Sequence, residues 1–186
     1  MDRTVEIAES YGARVFHHLW KNNFSEARNY SLQQATGDWI LVIDADERLE
    51  KRDIPILRAV LRRKEYNSII FAVLSELPTG ISMNHSQRVF RRGSGHYEGI
   101  VHNQLICEGD VLITGIRLYH YGYNLSDAQM REKYKRTENL LKQQLAENPK
   151  NAFAWMNLTR IYKCQELWED AINAAEEVLK LDPNPD

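Results

Sequence analysis

The chain has 186 residues, 43% of them hydrophobic and 27% charged, which suits one domain or two small ones and excludes a mainly unfolded protein. Its 24 basic and 26 acidic side chains leave a formal charge of −2, with a pI near 6.3, arguing against a dedicated nucleic-acid or anionic-membrane binder. Cys107 and Cys164 are too few and too far apart for a metal knuckle or disulfide framework, no signal peptide opens the chain, and no apolar run is long enough for a transmembrane segment, so a cytoplasmic protein is expected.

The first third alternates helix and strand. Asp2 is placed to cap a helix through Thr4, Val5, Ile7, Ala8 and Tyr11, which Gly12 ends. Ala13 to Trp20 reads as a strand. Ser25 is placed to cap a second helix carrying Ala27, Tyr30, Ser31, Gln34 and Ala35, ended by Gly37. The unbroken apolar run Trp39-Ile40-Leu41-Val42-Ile43 predicts a central strand buried on both faces, as in a parallel α/β sheet. Asp53 and Pro55 open a helix through Ile56, Leu57, Val60 and Leu61, and Ser68 to Leu74 returns to strand.

In the middle, Gln87 to Phe90, Ile100 to Cys107 and Val111 to Tyr121 predict short strands separated by the turns Gly93-Ser94-Gly95 and Glu108-Gly109-Asp110. Leu112, Thr114, Ile116, Leu118 and His120 share one face of the last strand. Gly122 to Leu125 marks a boundary, giving a first domain over 1–122 and an all-helical region over 123–186.

Beyond it, Ser126 and Gln129 form a capping-box pattern before a helix with Met130, Tyr134, Leu140, Leu141 and Leu145. Asn148-Pro149 ends that helix. Trp155, Leu158 and Tyr162 share a face of the next, and Ala171, Ala174, Ala175 and Val178 line a third before Leu181-Asp182-Pro183. This spacing resembles the tetratricopeptide repeat, with Thr159 in place of its usual small glycine, and Pro149 and Pro183 stand about 34 residues, one repeat length, apart. About one and a half repeats are present, so they are expected to pack on the first domain or to mediate self-association. Trp155 and Tyr162 are read as packing residues.

The chemical signal follows the apolar run, in Asp44-Ala45-Asp46-Glu47-Arg48. On an extended backbone Asp44 and Asp46 point the same way. Two adjacent carboxylates repel, and a magnesium or manganese ion between them relieves that repulsion and meets phosphate oxygens at the end of a sheet strand. The plain alternative is an acidic turn in which Asp46 or Glu47 caps the next segment. A nucleoside triphosphatase is disfavoured because no glycine-rich loop ends in Lys-Ser or Lys-Thr. An aspartyl phosphotransferase lacks its further lysine and acidic loops. The basic run Arg62-Arg63-Lys64, with Arg58 and Lys51-Arg52, reads as a solvated helix face, and Arg91-Arg92 either covers a diphosphate or solubilises a turn.

Taken together, Asp2 to Ala8, Tyr11-Gly12-Ala13, Asn23 to Asn29, Gly37 to Glu47, Arg88-Val89-Phe90-Arg91, His96 to His102 and His120-Tyr121-Gly122-Tyr123 resemble a family 2 glycosyltransferase of the GT-A fold. The similarity is to the bacterial and prophage branch that acts on peptides and carries tetratricopeptide repeats after the catalytic domain. The fold implied is α/β: a partial GT-A mixed sheet that lacks its first two strands, followed by a small helical repeat region.

The resemblance implies inverting transfer of a sugar from a nucleotide-diphosphate donor, of the uridine kind, to a peptide, saccharide or lipid-linked acceptor. Asp44 and Asp46 match the Asp-x-Asp motif, which holds the diphosphate through Mn2+ or Mg2+, with Asp46 the more direct ligand. His120 matches a histidine that approaches the same metal, although a packed or hydrogen-bonded strand-end histidine is the favoured explanation of it. Arg28 falls where phosphate contact is expected, and an internal ion pair with Glu47 or Asp46 competes with that role. Asn29 is expected to tie backbone together. Glu98, favoured over His102, is the candidate base for the acceptor, with sugar-hydroxyl binding as its rival role. The family commonly has an acidic residue after that histidine, and here Asn103 stands instead.

Two strands typical of the family precede the position of Asp2, including the turn that receives the nucleotide base. Without them, sheet edges would be exposed, implying a homo-oligomer through that edge or through the helical repeats. The expectation is a truncated glycosyltransferase impaired in nucleotide binding. The rival is a non-catalytic protein-interaction module or inactive fragment.

Overall fold

A computed structural model describes residues 3–77, 80–122 and 125–183. The elements, in order, are helix α1 (Thr4–Ser10), helix α2 (Phe24–Gln33), strand β1 (Trp39–Leu41), strand β2 (Glu47–Leu49), helix α3 (Ile54–Val60), strands β3 (Ser68–Leu77), β4 (Gly80–Arg91), β5 (Gly95–Glu98), β6 (Gln104–Cys107) and β7 (Val111–His120), and helices α4 (Asp127–Glu147), α5 (Ala152–Cys164) and α6 (Trp168–Leu181). Five strands form one mixed sheet in the order β1-β4-β3-β7-β2, and β5 and β6 pair as a separate ribbon. Among the described residues only the β3–β7 pair is parallel; the others are antiparallel.

The apolar run at Trp39 is therefore an edge strand and not the expected central one. Among the described residues β1 pairs only with β4, in an antiparallel register that sets Ile40 against Phe90, and Leu41 and Ile43 remain exposed. The strand buried on both faces is β3, where Ile69, Phe71 and Val73 join Val89, Ile116 and Leu118 in the sheet core. Apolar content alone does not distinguish a strand with two neighbours from one with a single neighbour.

The expected strand over 13–20 does not form. No described strand lies beside it to complete a ladder. The segment instead runs along α2: His18 stacks on Tyr30 with centroids 4.7 Å apart, Trp20 meets Phe24 edge-on at 4.8 Å, and the Arg14 Nη2 donates to the Gln34 carbonyl at 2.7 Å. Ser25 does not cap α2 either; the Asn23 side chain accepts from the Glu26 amide, while Ser25 is buried and donates to the Gly99 carbonyl. Asp2, the expected cap of α1, and Tyr123 lie outside the described residues. Ile100 to Cys107 yields only β6, because left-handed backbone at Gly99 (φ +93°) and His102 (φ +48°) breaks the extended path.

The helices beyond residue 126 agree closely with the sequence reading. Both hydrogen bonds of the capping box at Ser126 and Gln129 are present. Leu140, Leu141 and Leu145 of α4 pack with Ala154, Leu158, Ile161 and Tyr162 of α5 and with Ala171 and Ala174 of α6. Trp155 is half-buried against this cluster and its indole donates to the Pro149 carbonyl at 2.9 Å. Ile100 and Val101, from the turn after β5, belong to the same cluster. Phe24 of α2 packs on it. Among the described residues no helix is long and apolar enough to cross a membrane.

The far side of the sheet is pinned by a charge pair. Asp53, only 5% exposed, accepts from the Arg117 backbone amide at 2.9 Å and from its guanidinium at 2.9 and 2.8 Å. These guanidinium bonds hold the Asp53 carboxyl below its ordinary value against the opposing effect of burial. A depressed folded-state pKa contributes stability that is present above the unfolded value, near 3.8, and is lost as pH falls through the folded value. Asp53→Asn should therefore melt at a lower temperature than the wild type at pH 7, with the gap closing in thermal scans below about pH 3.8.

Candidate active site

The site begins where β1 ends. The Val42 amide donates to the Arg88 carbonyl at 2.9 Å, keeping the chain on β4 for one residue beyond the strand. Ala45 and Asp46 then form a turn, so Asp44 and Asp46 are not alternate residues of an extended strand, as the sequence suggested, and their side chains take different partners. The Glu47 amide donates to the Asp44 carbonyl at 3.0 Å, and the Asp44 amide donates to the Glu47 Oε2 at 2.8 Å, which closes the turn.

Glu47 is the buried member of the acidic group, with its side chain 1% exposed. A carboxylate so far from water needs a cation, and the Arg88 Nη2 supplies it at Oε1. Arg28 Nη2 reaches both oxygens of Asp44, at 2.8 and 3.0 Å, and Arg88 Nη1 lies 3.7 Å from Oδ2. Arg28 thus pairs with Asp44, not with Glu47 or Asp46 as its bland reading required. Two arginines and two carboxylates form one charge-balanced network spanning α2, β4 and the turn.

Asp46 faces another way. Its Oδ2 lies 3.4 Å from the His120 Nε2, and its carbonyl accepts from the Tyr121 amide at 2.9 Å. Gly122 makes this possible, because a Cβ there would fall 2.1 Å from the Asp46 Oδ2 and 2.7 Å from the His120 Nε2. Lys133 of α4 donates to the Gly122 carbonyl at 3.4 Å. Burial lowers the Lys133 pKa, and the charge of Asp46 partly offsets that effect. Among the described residues no three acidic, histidine or cysteine side chains gather at one point. Asp46 and His120 come together, whereas Asp44 is turned to Arg28.

On the other wall, the Asn29 side chain holds the backbone of β5 at both groups of one residue, donating to the Tyr97 carbonyl at 2.9 Å and accepting from its amide at 2.8 Å. That is the backbone-tying role expected of it. The Tyr97 ring is buried beneath the Arg28 guanidinium, 5.2 Å from its centroid, and burial pushes its phenol pKa up. Glu98, the next residue on the strand, points to the opposite face, where it is exposed and pairs with His96 at 2.9 Å. His102 holds its left-handed conformation in the following turn. It keeps contact with solvent, yet the surrounding protein, ahead of the charges of Arg160 and Lys133, lowers its pKa.

Between these walls lies a cleft of about 220 Å³ lined by Arg28, Asp44, Arg88, Tyr97, Asn103 and neighbours on β4 and β6. Of the residues selected from sequence, Arg28 and Asp44 line it; Asp46, His120, Glu98 and His102 do not. Arg91 and Arg92 brace backbone: Arg91 stacks on Trp39 at 4.3 Å and donates to the Tyr66 carbonyl, and Arg92 donates to the Gly37 carbonyl. Sequence reasoning gave Arg88 no role in the site and noted Asn103 only as a departure from an expected acid. The signal for Arg88 was its place in an Arg-Val-Phe-Arg segment bordering a buried strand.

A mixed α/β domain that presents paired acids and arginines around a cleft at a strand end places that cleft where sheets of this kind take ligands. Residues 1–168 match the Glycosyl transferase family 2, and the chain belongs to that family. It is 35% identical over 166 residues to a TPR repeat-containing protein of Synechococcus elongatus, covering 82% of this chain and 41% of that protein. It is 32% identical over 159 residues to the SPbeta prophage-derived glycosyltransferase SunS of Bacillus subtilis, covering 81% of this chain and 38% of the relative. The glycosyltransferase SunS of Bacillus phage SPbeta matches to the same extent. The chain thus spans about two fifths of the length of these curated relatives.

Because the Glu47 side chain is only 1% exposed and Arg88 is the cation beside it, removing the arginine strands the carboxylate. Arg88→Ala should lose about 3–5 kcal/mol of stability in urea denaturation.

Proposed function

We propose that this chain transfers a sugar from a nucleotide-diphosphate donor, of the uridine kind, to a peptide, saccharide or lipid-linked acceptor, with inversion. The observation that carries the reading is the Arg28–Asp44–Arg88 network opening onto a cleft in a chain of family 2. The prophage relative's name supports glycosyl transfer, and the peptide acceptor comes from the branch that the sequence resembles.

The donor set near Gly122 fits a hard divalent cation. Asp46 and His120 offer one carboxylate and one imidazole at a point that a Cβ would fill. Asp46 and His120 would hold a magnesium or manganese ion there, with its remaining oxygen ligands left to water and the donor. When bound, it would offset negative charge on the departing diphosphate. In this reading Arg28 and Asp44 orient the donor, their mutual bonds fixing both side chains before the ligand arrives. Glu98, exposed beside His96, is the base on the acceptor side in this reading. His102, kept neutral by its surroundings, is the competing base.

A second reading is favoured by α6, whose outer face exposes Trp168, Ile172 and Leu179. A tetratricopeptide-like stack buries such a face against a further repeat or a second copy, which is the interaction-module alternative and the route to a homo-oligomer. Nucleotide binding separates the two readings.

Asp46→Asn should abolish manganese-dependent binding of uridine diphosphate in titration calorimetry while leaving the far-ultraviolet spectrum unchanged; an unaltered isotherm removes Asp46 from the metal site. Glu98→Gln should cut turnover by about 100-fold or more with donor affinity preserved. Full turnover by that variant transfers the role of base to His102.

A further inference from the structure

Two buried side-chain donors have no acceptor among the described residues: the Nε of Arg88 and the Nδ2 of Asn103. Unpaired buried donors are uncommon because each gives up its hydration for nothing in return. Here both belong to residues that line the same cleft. Arg88 has already committed its two terminal nitrogens, one to Glu47 and the other toward Asp44. Its remaining N–H is thus held in place by bonds that do not satisfy it. Asn103 follows the strained turn at His102 and directly precedes β6, so backbone on both sides limits its freedom to turn away.

The size and charge of the cleft narrow what could meet these donors. Pockets that take a whole organic ligand usually run from about 300 to 1,000 Å³. At about 220 Å³ this one has room for a single ring with its substituents. The positive charges of Arg28 and Arg88 are already matched by Asp44 and Glu47. A phosphate or carboxylate would add an unmatched charge in a partly buried place. A nucleobase would seek a free aromatic face, and the Tyr97 ring is already covered by Arg28. An uncharged, oxygen-bearing ring satisfies all of these conditions.

We propose that Arg88 and Asn103 determine sugar specificity by donating from Nε and Nδ2 to a carbonyl or hydroxyl oxygen on an uncharged glycosyl ring seated in this cleft. The proposal rests on the glycosyltransferase reading and adds to it the residues that select the sugar. The asparagine matters because an acid at position 103 would have no N–H to donate.

The test is calorimetry in the presence of manganese, comparing uridine and guanosine diphosphates with UDP-glucose, UDP-N-acetylglucosamine and GDP-mannose. In the wild type one sugar nucleotide should bind at least tenfold more tightly than its parent diphosphate. Asn103→Leu, of similar size, should lose that margin while parent affinity stays within twofold, and its melting temperature should equal or exceed the wild-type value because an unsatisfied donor has been removed. Asn103→Asp keeps the polarity and guards against a packing defect, and it should lose the same margin. Sugar nucleotides no tighter than their parents in the wild type, or a margin kept by both variants, overturns the proposal. Failure of the wild type to bind any of the nucleotides instead overturns the donor-site reading beneath it.

Discussion

A carboxylate withdrawn from water sets the architecture of the site. The Glu47 side chain is compensated in its buried position by Arg88, which reaches it from β4, and by the Asp44 amide, which donates to it from the turn. Those two bonds fix the turn, and the fixed turn presents Asp44 to Arg28. Arg28 in turn lies across Tyr97, whose backbone is held at both groups by the neighbouring Asn29. Strand end, helix and ribbon are thereby coupled through one chain of charge and hydrogen bonds, with the cleft in the space they enclose. Loss of Glu47 would release the turn and the arginine together.

Local rules served the sequence reading well where structure is decided locally. The capping box at Ser126, the left-handed glycine at Gly12 and the alternation of β7 all depend on contacts within a few residues, and all are present. Strand position depends on neighbours far away in the chain. The run at Trp39 met the composition of a central strand but received one partner, and the segment at Ala13 met the composition of a strand but packed on a helix. Short apolar runs carry propensity without stating who will pair with them.

The same division runs through the site. Asp44, Asp46 and Arg28 were visible because an acidic pair after an apolar run has few chemical explanations. Their partners were not: the reading offered Arg28 either Glu47 or Asp46, and the turn at Ala45 gives it Asp44 instead. Arg88 lies 41 residues from Glu47, and no periodicity connects them. Gly122 is legible only in space, where its missing side chain is the room in which Asp46 meets His120. Asn103 stood out in sequence merely as a departure from an expected acid; the unmatched amide gives that departure a physical meaning.

The turn joining β5 to β6 is gripped from two sides. Ser25 and Phe24 of α2 hold Gly99 and Ile100 through their carbonyls, and the buried Gln144 of α4 accepts from the Ile100 amide at 3.0 Å. His102 and Asn103 therefore ride on a mount whose far jaw is the helical bundle. A displacement of α4 would therefore carry through Gln144 to the turn that holds His102 and Asn103. The helical bundle and one wall of the cleft share a single mechanical joint.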